Sequence, residues 1–346
     1  MQTIQPTLTS LLAWAGEPWI QKPTAILLAV VLVVLGATYL IGLIIRRQPD
    51  ATVNPAIVQA FNSRVRAWWL MFVILTAAIL LGPTATVVLF FLISFWALRE
   101  FITLTPTRMG DHRTLFWIFF LFAPLQYILV ARGNEFYGLY SIVIPVYVYL
   151  FIPARIALAG DYKRFLERAA KIQAGILICV YALSYAPALL YLDYRPTNGS
   201  LDSVEIWQGS RAGVLLYLIL IVQIGDAMQY VWSRYLGKRP IAPAINSSRT
   251  WEGFFGGTLT TTLIGAVLYF VTPFNPWESA FMAMITAVMG FAGGMTMSAI
   301  KRDRGVKDYG TLVEGHAGIL DRIDSLCFAA PVFFHLTRFW FTDIGQ

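Results

Sequence analysis

The sequence predicts an all-α protein, a polytopic bundle of transmembrane helices. Of its 346 residues, 58% are hydrophobic and 13% are charged, whereas an ordinary soluble domain has about 25% charged residues. Several apolar runs, such as 25–45 and 172–192, approach the roughly 20 residues that a spanning helix requires. The alternation of polar and apolar residues that marks barrel strands is missing between these runs. The chain is therefore expected to be an integral membrane protein made of helices.

About ten apolar runs are candidate spans, and polar residues, glycine or proline separate them. They cover approximately 25–45, 68–82, 84–98, 115–130, 141–154, 172–192, 212–230, 254–272, 280–300 and 325–341. Only Gly82 and Pro83 separate the second run from the third, and Pro145 and Pro153 interrupt the fifth. An even number of spans places both chain ends on the same side of a membrane.

The basic residues alternate along the chain as membrane topology requires. Alternate connections hold 21 of the 26 Lys and Arg residues. These basic connections are 46–67, 99–114, 155–171, 231–253 and 301–324. Because basic residues concentrate in cytoplasmic connections, we expect all five in the cytoplasm and both termini on the opposite side.

The stretch before the second run has a helical periodicity of its own. Ile57, Phe61, Val65 and Trp68 are spaced four, four and three residues apart, which places them on one face of a helix. We expect an amphipathic helix at the level of the lipid headgroups, with its basic residues towards anionic lipid. The same periodicity allows, as the alternative, an extension of the second span.

Three further features restrict the class of protein. Cys179 and Cys327 fall inside apolar runs, where small core residues are expected rather than a disulfide or a metal pair. The formal charge of +7 does not indicate nucleic-acid binding, because the basic residues are scattered between apolar runs and form no stripe. The first residues lack a basic start and a long apolar core, so no cleaved signal peptide is expected.

One polar stretch, 298–325, differs sharply from the rest of the chain. It contains five basic residues, five acidic residues and His316, which is one of three histidines. Charged side chains are costly in a membrane domain, so this concentration indicates a functional site. Asp321 and Asp324 lie three residues apart, and they would project from one face of a helix that begins there.

The order of residues in this stretch resembles the signature of phosphatidate cytidylyltransferases, which are also called CDP-diacylglycerol synthases. The matching positions are Ser298, Lys301-Arg302, Lys307-Asp308, Gly315-His316, Gly318, Asp321-Arg322 and Asp324-Ser325. Two positions depart from the family pattern. Glu314 stands where the family usually has Pro or Gly, and Ala317 stands where it usually has Gly. The resemblance is therefore to a divergent member.

A second stretch, 225–253, resembles further elements of the same family. The matches are Asp226, Tyr230, Gly237-Lys238 and Thr250-Trp251-Glu252-Gly253. The residues Asn246-Ser247-Ser248-Arg249 replace the usual Ser-Pro-x-Lys, so Arg249 stands where relatives have a lysine. A planar guanidinium contacts phosphate through two nitrogens, unlike an ammonium group. The hydroxyls here precede an apolar run, and the free N–H groups at the start of a helix favour an anion.

The resemblance implies an enzyme that transfers CMP from CTP to phosphatidate and releases pyrophosphate, leaving CDP-diacylglycerol. It implies a polar catalytic cavity that opens to the cytoplasmic face of the cell inner membrane. The lipid phosphate is already ionised at neutral pH, so its in-line attack on the α-phosphorus of CTP needs no strong base. Mg²⁺ would neutralise the triphosphate, and a few carboxylates suffice as ligands because Mg²⁺ keeps several waters.

The roles that the resemblance implies fall into three groups. The catalytic residues would be Asp308, Asp321, Lys307, His316 and Arg322. The residues that bind the nucleotide or its phosphates would be Lys301, Arg302, Arg249, Ser247, Ser248, Thr250 and Lys238. The ligands of one or two Mg²⁺ ions would be Asp226, Asp308, Asp321 and Asp324.

Ordinary structural roles compete with several of these functional ones. Asp226 could simply pair with a neighbouring arginine, and Glu252 could act as the N-terminal charge of a helix rather than as a ligand. Asp303-Arg304 is interpreted as a solvated pair of loop charges. Arg99-Glu100 is interpreted as an ion pair at the membrane interface, with contact to a lipid headgroup as the alternative. Gly293-Gly294 is expected to allow close helix packing.

We expect two modules within one bundle: residues 1–171 as a more variable membrane module and residues 172–346 as the catalytic module. The partners would be CTP, phosphatidate and membrane lipids, with no nucleic acid, and the family resemblance makes a homodimer plausible. Two alternatives keep the fold: a cytidylyltransferase for a different lipid or isoprenoid phosphate, and a catalytically silent relative that binds lipid. A transporter is disfavoured, because the costly charges gather at one membrane face rather than at the midplane.

Overall fold

The computed structural model describes residues 20–46, 55–104, 107–195, 207, 209–306 and 318–342. Ten long helices account for most of these residues. They are α1 (Lys22–Arg46), α2 (Pro55–Leu80), α3 (Pro83–Leu104), α4 (Met109–Ala131), α5 (Asn134–Ala157), α6 (Phe165–Tyr191), α7 (Arg211–Leu236), α8 (Trp251–Val271), α9 (Pro276–Asp303) and α10 (Leu320–Phe341). An antiparallel hairpin of β1 (Pro240–Ala242) and β2 (Asn246–Thr250) connects α7 to α8.

Eight of the ten described helices are long and apolar enough to cross a membrane. The other two are α2, in which Trp68–Leu80 is a shorter apolar helix among the described residues, and α10, which has charged residues in its first and last turns. Each predicted span corresponds to one of the ten helices. The prediction of an all-α polytopic bundle is therefore confirmed.

The second predicted span and the predicted interfacial helix form one element. Helix α2 runs without a break from Pro55 to Leu80, so the periodic stretch 57–68 continues into the span. The expected separate helix is thus replaced by the alternative, an extended second span, because no glycine or proline interrupts the helical periodicity. Trp69 donates from Nε1 to the carbonyl of Leu35 at 3.2 Å, which holds α2 against α1.

Three of the long helices contain a short π-helical segment, which is wider than an α-helical turn. These segments are Ile118–Phe122 in α4, Val143–Val148 in α5 and Leu177–Ala182 in α6. Pro145 lies within the second of them, where its missing N–H would otherwise interrupt the hydrogen-bond ladder. For this reason the proline-interrupted fifth span is still one helical segment.

Side-chain contacts sort the helix ends into two sets. At one end of the bundle, here called the polar end, α3 ends beside the start of α10, α4 begins beside the start of α6, and α9 ends beside the start of α10. At the opposite end, the residues after α6 pair with the residue after α10, and the start of α5 contacts the last turn of α10. The described parts of 99–114, 155–171, 231–253 and 301–324 lie at the polar end, so the alternation of basic connections matches the path of the chain.

A buried ion pair fastens α4 to α6 at the polar end. Arg168 donates from Nη2 to Asp111 at 2.7 Å, and the two side chains are 4% and 0% exposed. Arg168 also donates to the carbonyls of Asp161 and Lys163. The hydrogen bonds from Arg108 lower the pKa of the Asp161 carboxyl, which therefore stays charged beside Arg168. This network fixes the connection between α5 and α6.

The core is apolar and includes both cysteines, which are fully buried as predicted. Glycine lets neighbouring helices approach closely around it. A Cβ on Gly257 of α8 would lie 2.6 Å from the backbone nitrogen of Gln229 in α7, and a Cβ on Gly293 of α9 would lie 2.7 Å from the carbonyl oxygen of Asp324 in α10. The predicted packing role of Gly293 is confirmed, and it brings Asp324 against α9.

Candidate active site

Four elements that carry predicted site residues converge at the polar end. Asp226 lies in the second half of α7, Arg249 in β2, Lys301 in the last turn of α9, and Asp321 and Asp324 at the start of α10. Asp324 interacts electrostatically with Asp226, Lys301 and Arg249, which places all four charges in one neighbourhood. The structure therefore assembles one charged site from two stretches that are distant in the sequence.

Arg249 organises the α7 side of this site. Its Nη2 donates to Oδ1 of Asp226 at 3.0 Å, and its Nη1 donates to Oε1 of Gln229 at 2.7 Å. Gln229 is buried and donates in turn to the carbonyl of Ala287, at 3.3 Å. The guanidinium also lies over the ring of Phe291, 5.9 Å from its centroid. The planar guanidinium makes these contacts at the same time. Asp226 therefore has the arginine partner that its structural alternative predicts, and its role as a metal ligand stays a prediction.

A second ion pair connects α9 to α10. Lys301 donates from Nζ to Oδ1 of Asp321 at 2.6 Å, and the two side chains are 15% and 6% exposed. A buried carboxylate without a partner would be strongly destabilising, so this pair stabilises the contact between the last turn of α9 and the first turn of α10.

Asp324 is placed differently from Asp321. Its Oδ1 accepts the backbone N–H of Ser325 at 2.7 Å and lies 3.4 Å from Oγ of the same serine. Within the described ranges it makes no ion pair, and the carboxylate of Asp226 repels it. Two partly buried carboxylates that repel each other are stabilised by a cation between them.

The donors in this neighbourhood fit Mg²⁺. Carboxylate oxygens are the ligands that this hard cation prefers, and Asp226 and Asp324 supply them from two helices. No group of three or more His, Cys, Asp or Glu side chains that could hold a metal ion is found among the residues that the structure describes. Asp308, which completes the predicted ligand set, lies outside the described residues. Because Mg²⁺ keeps several waters and accepts substrate phosphates as ligands, two carboxylates are an adequate protein contribution.

The β hairpin forms one wall of the site, and α9 holds its tip. Arg302 donates from Nε to the carbonyl of Ile245 at 3.1 Å, and Nδ2 of Asn246 lies 3.4 Å from Oγ of Ser298. Ser248 donates from Oγ to Oδ1 of Asn246 at 2.7 Å. These contacts explain why the four residues 246–249, which depart from the family pattern, still adopt a defined geometry.

Thr250 and Glu252 have structural partners at the start of α8. Thr250 is the N-cap of α8, because its Oγ1 accepts the N–H of Gly253 at 3.1 Å, and it also donates to Oγ of Ser233 at 3.2 Å. Glu252 accepts the backbone N–H groups of Lys238-Arg239 at 3.1 and 3.2 Å. Glu252 therefore closes the base of the hairpin. It also lies in the first turn of α8, which agrees with its predicted alternative as the N-terminal charge of a helix.

The structure thus unites some of the predicted residues and leaves others untested. Asp226, Arg249, Lys301, Arg302, Asp321 and Asp324 come together at the polar end. Ser247 and Ser248 are exposed on the hairpin, Lys238 is exposed between α7 and the hairpin, and Arg322 is partly buried in the first turn of α10. Lys307, Asp308 and His316 lie outside the described residues. The contacts that these side chains would make with a nucleotide stay predictions.

Glu100 belongs to this part of the molecule, although sequence reasoning gave it a different role. Its carboxylate accepts the N–H of Ile319 at 3.1 Å and that of Leu320 at 2.9 Å, and the residue is 5% exposed. The predicted ion pair with Arg99 is wrong, because Arg99 instead lies over the ring of Trp96, 4.8 Å from its centroid. A carboxylate directly after a long apolar run was the available signal, because such a group needs a buried partner.

Comparison with protein families shows what kind of protein has this site. The model of a family described as the cytidylyltransferase family matches residues 62–340, which is most of the chain. An uncharacterized protein of Escherichia coli (strain K12), YnbB, is 36% identical over 278 residues, which cover 80% of this chain and 87% of that protein.

Enzymes named phosphatidate cytidylyltransferase match a shorter part. The one from Staphylococcus haemolyticus (strain JCSC1435) is 37% identical over 120 residues, which cover 34% of this chain and 46% of that enzyme. The one from Staphylococcus aureus (strain COL) is 38% identical over 120 residues. The matched region spans just under half the length of these staphylococcal relatives. Since the family model extends over most of the chain, including every helix from α3 to α9, the chain belongs to the cytidylyltransferase family.

Proposed function

We propose that this protein transfers CMP from CTP to phosphatidate, forming CDP-diacylglycerol and releasing pyrophosphate. Membership of the family supports a CTP-dependent transfer, and the staphylococcal relatives bear the name of this activity. The observation that carries the proposal is the charged site at the polar end, where carboxylates of α7 and α10 alternate with Arg249 and Lys301. We place this end at the cytoplasmic face of the inner membrane, because the basic connections lie there.

The cations of the site bind and orient the triphosphate. Arg249 and Lys301 each keep a carboxylate partner, and each has further N–H groups for phosphate oxygens. Arg302 and Arg322 add positive charge to the same end of the bundle. Lys307 and Lys238 would contribute further cations, and Ser247, Ser248 and Thr250 would contribute hydroxyls. The phosphates of CTP are thereby held where a lipid phosphate can reach the α-phosphorus in line.

Asp226 and Asp324, with Asp308 and Asp321, are the residues that would hold Mg²⁺. The bound ion would neutralise charge on the triphosphate and on the departing pyrophosphate. An oxygen of the ionised phosphatidate phosphate forms a bond to the α-phosphorus, and the bond from that phosphorus to the oxygen bridging to the β-phosphate breaks. His316 orients a phosphate oxygen or a bound water. No proton has to be removed from the attacking oxygen, so the site needs no strong base.

The test is an assay of purified protein with labelled CTP, phosphatidate and Mg²⁺, in which a CDP-lipid is the expected product. Asp321→Asn should abolish turnover and leave the protein folded and inserted, because it removes a carboxylate from the proposed metal shell. Asp303→Asn is the matched control, since Asp303 is 68% exposed and pairs only with its neighbour Arg304 among the described residues. Substantial activity of Asp321→Asn would remove Asp321 from that shell.

A second candidate is the same transfer to a different lipid or isoprenoid phosphate. It is favoured by the coverage of the comparisons: the named phosphatidate enzyme matches 34% of the chain, whereas YnbB matches 80%. No product with phosphatidate, together with a CDP-linked product from another lipid phosphate, would select this candidate. No product with any lipid phosphate, from folded protein that binds lipid, would favour a catalytically silent relative.

A further inference from the structure

The start of α10 is held by a side chain from the first half of the chain. The first N–H groups of any helix lack partners within that helix and need acceptors from elsewhere. In α10 the residue before the helix, Ile319, supplies no side-chain cap. Glu100 of α3 supplies the acceptors instead, with Oε1 at 3.1 Å from the nitrogen of Ile319 and Oε2 at 2.9 Å from that of Leu320. A carboxylate at this position also interacts favourably with the positive end of the helix dipole.

The position of Glu100 is itself tightly determined. Glu100 and the next residue, Phe101, are 5% and 3% exposed. A Cβ on Gly175 of α6 would lie 2.9 Å from Cδ1 of Phe101, so a larger residue at 175 would displace the Phe101 ring and disturb this close approach of α3 to α6. The carboxylate is therefore presented to α10 from a rigid, buried support, unlike a mobile surface charge.

The contact lies immediately before the acidic residues of the site. Leu320, whose N–H is bound by Glu100, is adjacent to Asp321, and Asp324 follows one turn later. The point at which α10 begins decides which way these two carboxylates face. Because both oxygens of Glu100 are engaged by backbone N–H groups, Glu100 acts on the site through α10 and does not need to touch substrate.

We propose that Glu100 is a positioning residue, which sets the start of α10 so that Asp321 meets Lys301 and Asp324 meets Asp226. This inference rests on the proposed function for its kinetic consequence, but the contact itself can be tested separately. It gives the first half of the chain a direct part in the chemistry, beyond forming a membrane support.

The experiment compares Glu100→Gln with wild type and with Glu278→Gln in the full-length protein. Glutamine keeps one acceptor oxygen but turns its NH₂ group towards the second N–H. Glu278 is the matched control, because it caps the start of α9 at the opposite end of the bundle, accepting the N–H of Asn275 at 2.8 Å. The measurements are backbone hydrogen exchange of residues 319–324, kcat, and the Mg²⁺ concentration that gives half-maximal rate.

We expect the backbone N–H groups of residues 319–324 to exchange their hydrogens at least tenfold faster in Glu100→Gln than in wild type. We also expect its kcat to fall at least tenfold and its half-maximal Mg²⁺ concentration to rise at least threefold, whereas the KM for phosphatidate stays within twofold. Glu278→Gln should leave all of these values within twofold of wild type. If Glu100 only stabilised the fold, the variant would have a lower melting temperature and a lower yield. The protein that does fold would then need the same Mg²⁺ concentration as wild type for half-maximal rate.

Wild-type exchange and wild-type kinetics in folded Glu100→Gln would overturn the proposal, as would equal kinetic losses in the two variants. If wild-type protein forms no CDP-lipid, the proposed function fails, while the exchange measurement still decides whether Glu100 holds α10. Should Glu100→Gln not be recovered folded, Glu100→Asp keeps the charge and shortens the side chain, and it must show the same changes in smaller degree; wild-type values in that variant would also overturn the proposal.

Discussion

Arg249 stands where the family pattern has a lysine, and the contacts of its side chain explain how the arginine fits there. The guanidinium binds Asp226 with one nitrogen and Gln229 with another, and it lies against Phe291. An ammonium group at the same place has no planar pair of nitrogens for two partners in different directions. The arginine is therefore part of a local network that includes a buried glutamine, in addition to its proposed contact with phosphate.

Arg249→Lys should destabilise the protein, although it restores the residue type that the family pattern has at this position. Lysine can keep the contact with Asp226, but Oε1 of the buried Gln229 then loses its donor, which costs about 1–3 kcal/mol. Thermal unfolding in detergent measures the effect. Arg164→Lys is the control, because the Arg164 side chain is 69% exposed and pairs with Glu167, and it should change stability by less than about 0.5 kcal/mol. Equal stability of Arg249→Lys and wild type would show that Gln229 finds another donor.

Asp324→Asn should lower the activity of the protein without lowering its stability. The neutral amide removes the repulsion between Asp324 and Asp226, so unfolding in EDTA should occur at a temperature no lower than that of wild type. The same change removes a proposed Mg²⁺ ligand, so formation of CDP-lipid should fall at least a hundredfold, or about 2.7 kcal/mol in the barrier. A variant that unfolds earlier but keeps its turnover would contradict both parts of this argument.

At the scale of elements, glycine in α9 decides how near α10 can come. Gly293 faces the backbone of Asp324, whereas Gly290, one turn earlier, faces Cβ of Ser325 at 3.5 Å, which is an ordinary contact distance. The same helix therefore has one position that does not accommodate a methyl group without movement and one that does. The helix interface, and with it the position of Asp324, depends on Gly293.

Gly293→Ala should push α10 away from α9 and lower turnover at least tenfold, because the new Cβ would lie 2.7 Å from the Asp324 carbonyl. Overpacking of this kind costs about 1–3 kcal/mol. Gly290→Ala should keep turnover within twofold of wild type. Thermal unfolding and the CDP-lipid assay on both variants check the prediction, and similar behaviour of the two would show that α10 is not held at this contact.

At the scale of the whole molecule, the two ends of the bundle differ in what they carry. The described part of the polar end has the hairpin, the Arg168–Asp111 pair and the convergent acids of α7 and α10. At the opposite end, Arg338 lies over the ring of Tyr137, 3.7 Å from its centroid, and no comparable set of acids meets there among the described residues. Under the proposed function, water-soluble CTP would have to reach the polar end, so we propose that this end faces the cytoplasm.

Single cysteines can test this orientation, because both native cysteines are fully buried. Ser248→Cys, on the exposed hairpin, should react with a membrane-impermeant maleimide in inside-out vesicles and not in intact cells. Trp277→Cys, at the start of α9 where the native residue is 85% exposed, should show the reverse. Labelling of both positions from one side would contradict the assigned topology.

The division into a variable module, 1–171, and a catalytic module, 172–346, stays a prediction. The two halves nevertheless share buried contacts. Glu100 and Phe101 of the first half contact α10 and α6 of the second half through buried groups. The second half therefore does not have all the partners for its own helix ends. We expect a chain that begins at residue 172 to fail to hold α10 in the position described.

The sequence by itself determined the class of fold, the number of long helices, the alternation of basic and less basic connections and the two polar stretches, because these follow from local hydrophobicity and charge. It also named the acids and bases that meet at the polar end. Only the tertiary structure decided that 57–68 continues into the second span, that Arg249 serves Asp226 and Gln229 together, and that Glu100 holds α10. Those outcomes depend on which faces of distant helices meet, and periodicity along one segment carries no information about its partner.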